Sequence, residues 1–93
     1  MTPEGIVKAK IIKVLKAYGV YYFMPAGTTR GRAGIPDIIC CVKGKFIAIE
    51  VKSATGKLTE LQKYELEKIT EAGGVALVIN GLNMHELTDA LEK

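Results

Sequence analysis

Histidine and cysteine are scarce in this chain: one of the first and two of the second among 93 residues. The cysteines are neighbours, Cys40 and Cys41, which fits neither zinc-ligand spacing nor a C-x-x-C redox pair. Neighbours in a strand point to opposite faces, so both are read as core thiols. The single histidine, His85, stands at the start of a short helical stretch, a place for a local or solvent-facing role. No apolar run approaches the ~20 residues that cross a bilayer. Met1-Thr2-Pro3-Glu4 lacks the basic start and apolar core of a signal peptide. Repeats, low-complexity tracts and linkers are missing too. These absences argue against a disulfide scaffold, a structural zinc site and a membrane span. The expected location is the cytoplasm, or that of a bacterial host if the chain is phage-encoded.

What is present is an ordinary globular composition, 48% hydrophobic and 25% charged, with a formal net charge of +3. Mild basicity fits a polyanionic partner without specifying one. Residues 1–93 are read as one domain. A domain this small buries only roughly 60–65% of its unfolded surface, so dimerisation would add to a thin stability margin.

Thr2 as N-cap, Pro3 at the first helical position and Glu4 in the first turn open a helix. Ile6, Val7, Ile11, Val14, Leu15 and Tyr18 continue it at helical spacing, and Gly19 ends it. Val20 to Met24 reads as a short strand. A Gly-, Thr- and Arg-rich loop, 25–34, follows. A second strand opens at Ile35-Pro36-Asp37 and runs to Val42. Lys43-Gly44-Lys45 reads as the turn into a third strand, Phe46–Lys52. Thr59 and Gln62 form a capping box for a second helix reaching Ala72. Val75–Ile79, uniformly apolar, has the pattern of a strand buried on both faces. Asn83, with Glu86 three residues on, is expected to cap a final helix. The result is an α/β fold of order αβββαβ(α). Its mixed sheet is an antiparallel meander joined in parallel by the fourth strand.

The informative charges lie where the third strand ends. Alternation places Phe46, Ala48, Glu50 and Lys52 on one face and Ile47, Ile49 and Val51 on the other. A charge beside a buried strand is costly unless it is paired or bound to metal. Taken alone, Glu50-Val51-Lys52 reads more readily as a solvent-exposed strand-end ion pair than as a site. Asp37 changes the balance. It lies seven residues before Gly44, and Val51 lies seven after it. The hairpin therefore brings Asp37 beside the Glu50–Lys52 stretch. Two carboxylates suit a hard divalent cation, with the Val51 carbonyl and waters completing the shell. Such an ion polarises a phosphoryl oxygen, and a lysine stabilises charge developing on phosphate.

Asp37…Glu50-Val51-Lys52, after a helix and a strand, resembles the PD-(D/E)xK nuclease superfamily. Gly34-Ile35-Pro36-Asp37, with Glu4 on the first helix and Gln62 on the second, resembles more specifically the virus-type replication-repair nuclease (VRR-NUC) domain. The likeness spans nearly the whole chain, from Glu4 to the fourth strand. It implies a restriction-endonuclease-like core and an Mg²⁺- or Mn²⁺-dependent endodeoxyribonuclease, with no organic cofactor. It implies that Asp37 and Glu50 bind metal and that Lys52 is catalytic. Glu4 is implied to complete the acidic cluster, and Gln62 to orient the site. Stand-alone members of this kind are similar to compact homodimers that cut four-way (Holliday) junctions. Larger eukaryotic members act on flaps with extra DNA-binding domains, which are not expected here.

Second readings stand beside these roles. Gln62 also serves as the capping partner of Thr59, and Glu4 also suits the helix macrodipole. Arg30, Arg32, Lys43, Lys45 and Lys57 are candidate DNA contacts or a solvated rim. Arg30 and Arg32 are the better placed, in a Gly-rich loop flanking the site. Tyr21-Tyr22-Phe23 reads as strand packing. Three functions compete: a junction-resolving endonuclease, with a less selective duplex, nicking or flap enzyme as its close variant; a non-catalytic DNA-binding module; and a structural protein with a strand-end ion pair.

Overall fold

The computed structural model describes residues 1–26 and 31–93. Helix α1, Pro3–Ala17, begins as the sequence predicts: the Thr2 Oγ1 accepts from the Gly5 N–H at 3.0 Å, with Pro3 in the first turn. Its buried stripe is Val7, Ile11 and Leu15. Tyr18 caps the far end, and Gly19 follows with φ 67°.

Strand β1 is only Tyr21–Phe23, shorter than expected, and β2 is Ile38–Val42. Ile35 and Pro36 do not pair, since proline has no N–H to give the ladder, and Asp37 lies in a bend before the strand. Strand β3 covers Lys45–Val51. The β2–β3 turn is two residues, not three. Lys43 (φ 51°) and Gly44 (φ 79°) both adopt left-handed conformations, as a type I′ hairpin requires. Lys45 therefore pairs with Val42, and the register runs to Ile38 opposite Ile49.

Helix α2, Glu60–Glu71, carries the expected reciprocal cap between Thr59 and Gln62. Strand β4, Val75–Ile79, joins β3 in parallel, giving the sheet order β1-β2-β3-β4. Only Ile79 of β4 is fully buried; the other four residues are half-buried. The strand is apolar throughout yet stands at the sheet edge, so full burial on both faces was not realised. Helix α3, Met84–Glu92, completes the chain. Asn83 does not cap it by its side chain. Instead its Oδ1 accepts from the Asn80 N–H, and its Nδ2 donates to the Val78 carbonyl and to Glu86. The amide ties the β4–α3 turn rather than the helix end.

The architecture is thus α/β, a four-stranded mixed sheet flanked by three helices. One sheet face carries the core. Ile38, Cys40, Ile47, Ile49, Val51 and Ile79 meet α1 and α3 through Ile11, Leu15, Leu87 and Leu91. Each such isoleucine or leucine, fully buried, contributes about 1.5–3 kcal/mol relative to exposure. Helix α2 lies on the opposite face, where Ile69 packs close to Gly74 and Phe46. That face is left open over β1 and β2. Consequently Cys40 is a core thiol but Cys41 is exposed, and Tyr21 and Phe23 are exposed rather than packed.

Candidate active site

The hairpin register decides which side chains meet. The Ile38–Ile49 pairing places Asp37 next to the Glu50 position, one residue off the alignment with Val51 expected from a three-residue turn. The bend lets Asp37 reach across the strands: its Oδ2 accepts the Val51 N–H at 2.8 Å. Glu50 projects from the α2-covered face and is only 3% exposed. Gln62, in the first turn of α2, donates its Nε2–H to Glu50 Oε2 at 3.1 Å. The same amide accepts the Thr59 N–H through Oε1 at 2.9 Å. One side chain therefore both closes the cap and bonds Glu50, and the cap orients the amide toward that carboxyl. Lys52, just past the end of β3, holds its Nζ 3.8 Å from Glu50 Oε2.

Among the described residues, Glu50 Oε1 is buried without a hydrogen-bond partner. An ionised carboxylate held this way is costly, and the carboxyl is pushed up to about 8. Burial is the largest cause. The Asp37 carboxylate follows, as hydrogen-bond partner of the protonated acid and as a like charge; Lys52 opposes the shift and Glu4 adds a little to it. An unpartnered oxygen beside a second acid, short of positive charge, fits a divalent cation. Among the described residues no three His, Cys, Asp or Glu side chains form a metal-holding group. The candidate donors are Asp37, Glu50 and the Val51 carbonyl, a set of the kind that suits an ion keeping several waters and taking one or two carboxylates. Glu4, exposed in the first turn of α1, is near enough to act through its charge but is not gathered with the other two acids into a ligand group.

The basic residues are distributed differently from expectation. Lys43 and Lys45 lie at the hairpin turn, at the other end of the strands from the acids. Five residue steps along the strand separate Lys45 from Glu50, roughly 17 Å. Lys45 Nζ is directed to the Ala90 and Lys93 carbonyls at the end of α3, where a cation complements the helix terminus. The structure thus does not bring these two lysines to the site. Lys57 is exposed in the loop after Lys52. Arg30 lies outside the described residues. Arg32 is held by Glu65, Nε to Oε2 at 2.9 Å and Nη2 to Oε1 at 3.0 Å. Glu65 is a buried carboxylate that sequence reasoning missed. Its one signal was its position three residues after Gln62, on the same side of α2. A cleft of about 480 Å³ opens beside Asp37, lined also by Lys8, Arg32, Gly34 and Pro36.

Once this geometry is known, comparison with known proteins gives one positive result. The family model for the VRR-NUC domain matches residues 4–83 of the chain. No curated protein and no solved structure matches it.

Proposed function

Because the chain belongs to the VRR-NUC family, whose members are nucleases of the PD-(D/E)xK type, we propose that it is an Mg²⁺- or Mn²⁺-dependent endodeoxyribonuclease. Its proposed substrate is branched DNA, with four-way junctions resolved by a homodimer in the cytoplasm. The observation that carries the reading is the buried, unpartnered Glu50 Oε1 on a carboxyl beside Asp37, whose other oxygen lies 3.8 Å from the Lys52 ammonium. Two-fold symmetry would set two such sites against opposed strands of a junction. Among the described residues, no helix is long and apolar enough to cross a membrane.

Asp37, Glu50 and the Val51 carbonyl would hold the cation. Once bound, it supplies charge neutralisation at the scissile phosphate and lowers the pKa of a water. The protein's part is placement. The Val51 N–H fixes one Asp37 oxygen, and Gln62 fixes one Glu50 oxygen. Neither acid must reorganise as the reaction proceeds, which is the condition for electrostatic stabilisation to lower a barrier. Lys52 is half-buried on the side of Glu50, so its ammonium is partly screened from water. There it donates to the phosphoryl oxygens as negative charge builds up during in-line attack of water on phosphorus. A lysine suits this task because its compact charge and movable donors follow a changing geometry.

The test is one assay with several substrates. Four-way junction, flap and linear duplex are each incubated with Mg²⁺, Mn²⁺ or chelator. Metal-dependent, paired cuts in the junction, faster than cuts in duplex, are expected. Equal rates on all three leave a nuclease without junction preference. DNA binding without any metal-dependent product would refute the enzyme reading in favour of a binding module.

A further inference from the structure

The segment that delivers Asp37 has little backbone support. Among the described residues, no backbone–backbone hydrogen bond outside the helices and strands involves residues 31–37. The segment is held instead at three points. Asp37 accepts from the Val51 N–H. Gly34 presses on α2 so closely that a Cβ there would lie 2.6 Å from the Leu61 backbone. Arg32 forks onto Glu65 with two parallel hydrogen bonds. Two of these three points are on α2, the helix whose Gln62 also holds Glu50. The two acids therefore belong to a closed circuit: Asp37 to β3, Glu50 to Gln62, and α2 back through Glu65 to Arg32 and the loop.

The Arg32–Glu65 pair has a feature that stability alone does not account for. The Glu65 side chain is 8% exposed, whereas that of Arg32 is 76% exposed. Burying a carboxylate is costly, and an apolar residue would serve packing at least as well. What the carboxylate adds is direction. A bidentate guanidinium–carboxylate fork fixes the arginine in angle as well as distance. Arg32 is five residues before Asp37, and the Gly34 contact lies between them. Fixing Arg32 thus removes most of the freedom of the segment carrying the acid. Small divalent cations demand near-ideal ligand geometry, so this freedom bears directly on affinity.

We propose that Arg32 and Glu65 are a positioning pair, fastening residues 31–37 to α2 and so setting the Asp37–Glu50 separation that a divalent cation requires. The proposal rests on reading Asp37 and Glu50 as cation ligands. It reassigns Arg32, expected from sequence as a phosphate contact, to a role exerted through Asp37. Removing an outer partner of a metal ligand costs 10- to 100-fold in affinity or activity.

The test measures Mn²⁺ binding to the DNA-free protein by electron paramagnetic resonance, and DNA affinity in chelator across a salt series. Arg32→Lys keeps the charge but loses the fork; Glu65→Gln keeps the shape but loses the charge. Both are expected to weaken Mn²⁺ binding at least tenfold, with DNA affinity in chelator and its salt dependence unchanged. Circular dichroism checks folding. Should Glu65→Gln fail to fold, Arg32→Lys, at the exposed end of the pair, decides. If the wild type binds Mn²⁺ and Arg32→Lys binds it equally well, the positioning role is overturned. If Arg32→Ala reduces the salt slope by about one counterion while Arg32→Lys restores both slope and Mn²⁺ binding, Arg32 is a phosphate contact and the proposal fails. Absence of Mn²⁺ binding by the wild type overturns the cation reading itself, and the pair's role with it.

Discussion

Replacing Glu50 with glutamine is expected to make the metal-free protein more stable near neutral pH while removing cation binding and cleavage. In the folded state the carboxyl titrates at about 8, against 4.5 when unperturbed. A raised folded-state pKa means that folding takes up a proton between these values. Stability is then greatest below pH 4.5, falls as pH rises through the window up to about 8, and levels off above it. At pH 7 the uptake spans about 2.5 pH units at ~1.36 kcal/mol each, a cost of roughly 3 kcal/mol. Glu50 is 3% exposed, so solvent screening does not erode that figure greatly. Glutamine mimics the protonated acid: it donates on one side, accepts the Gln62 bond on the other, and has no proton to lose on unfolding. Urea unfolding in chelator at pH 5, 7 and 8.5 measures the effect. The wild type should lose about 1.4 kcal/mol per pH unit through the window, in excess of the variant. The variant should be the more stable protein at pH 7 by up to about 3 kcal/mol, a large share of the 5–15 kcal/mol typical of a domain. Mg²⁺ should close most of the gap at 100 times its Kd, where it adds about 2.7 kcal/mol to the wild type, and reverse the order at 1,000 times, where it adds about 4.1 kcal/mol, with nothing added to the variant. Parallel pH slopes for the two proteins, or a variant less stable than wild type in chelator at pH 7, would refute the reasoning.

Lys52→Ala should lower cleavage by about 10²–10³-fold while leaving DNA binding in chelator near that of the wild type; unimpaired turnover would remove the lysine from the chemistry. Gly34→Ala should destabilise the fold by about 1–3 kcal/mol in thermal melts, because φ is +87° and the new Cβ would meet the Leu61 backbone. Gly19→Ala, with a positive φ but open space around it, should cost less, and equal losses would discount the close approach. In the native protein a thiol reagent should modify Cys41 and spare Cys40, which is in the core and has its thiol pushed up to about 11 by burial. Rapid labelling of both without unfolding would contradict the packing of β2.

The turn was read as Lys43-Gly44-Lys45, yet two left-handed residues suffice. That difference moved Asp37 from the Val51 position to the Glu50 position. Local patterns placed Asn83 at a helix start, but they do not show that its amide has the Val78 carbonyl within reach. Alternation put Cys40 and Cys41 on opposite faces, as observed, but could not tell that only one face is covered over β2. The apolar run of β4 suggests burial on both faces, but at the sheet edge four of its five residues stay half-buried. Charge alone groups Lys43 and Lys45 with the site, although they belong to the far end of the strands.

The sequence by itself determined the succession of helices and strands and singled out Asp37, Glu50 and Lys52 as candidate site residues, because caps, periodicity and misplaced charges are local properties. It also supplied Gln62, through a capping pattern that is itself local. Only the tertiary structure decided that α2 would lie over Glu50, orphan one of its oxygens, and hold the Asp37 loop through Glu65 and Arg32. Those contacts join residues far apart in the chain, and their strength depends on which face is buried, a quantity set only when the layers pack.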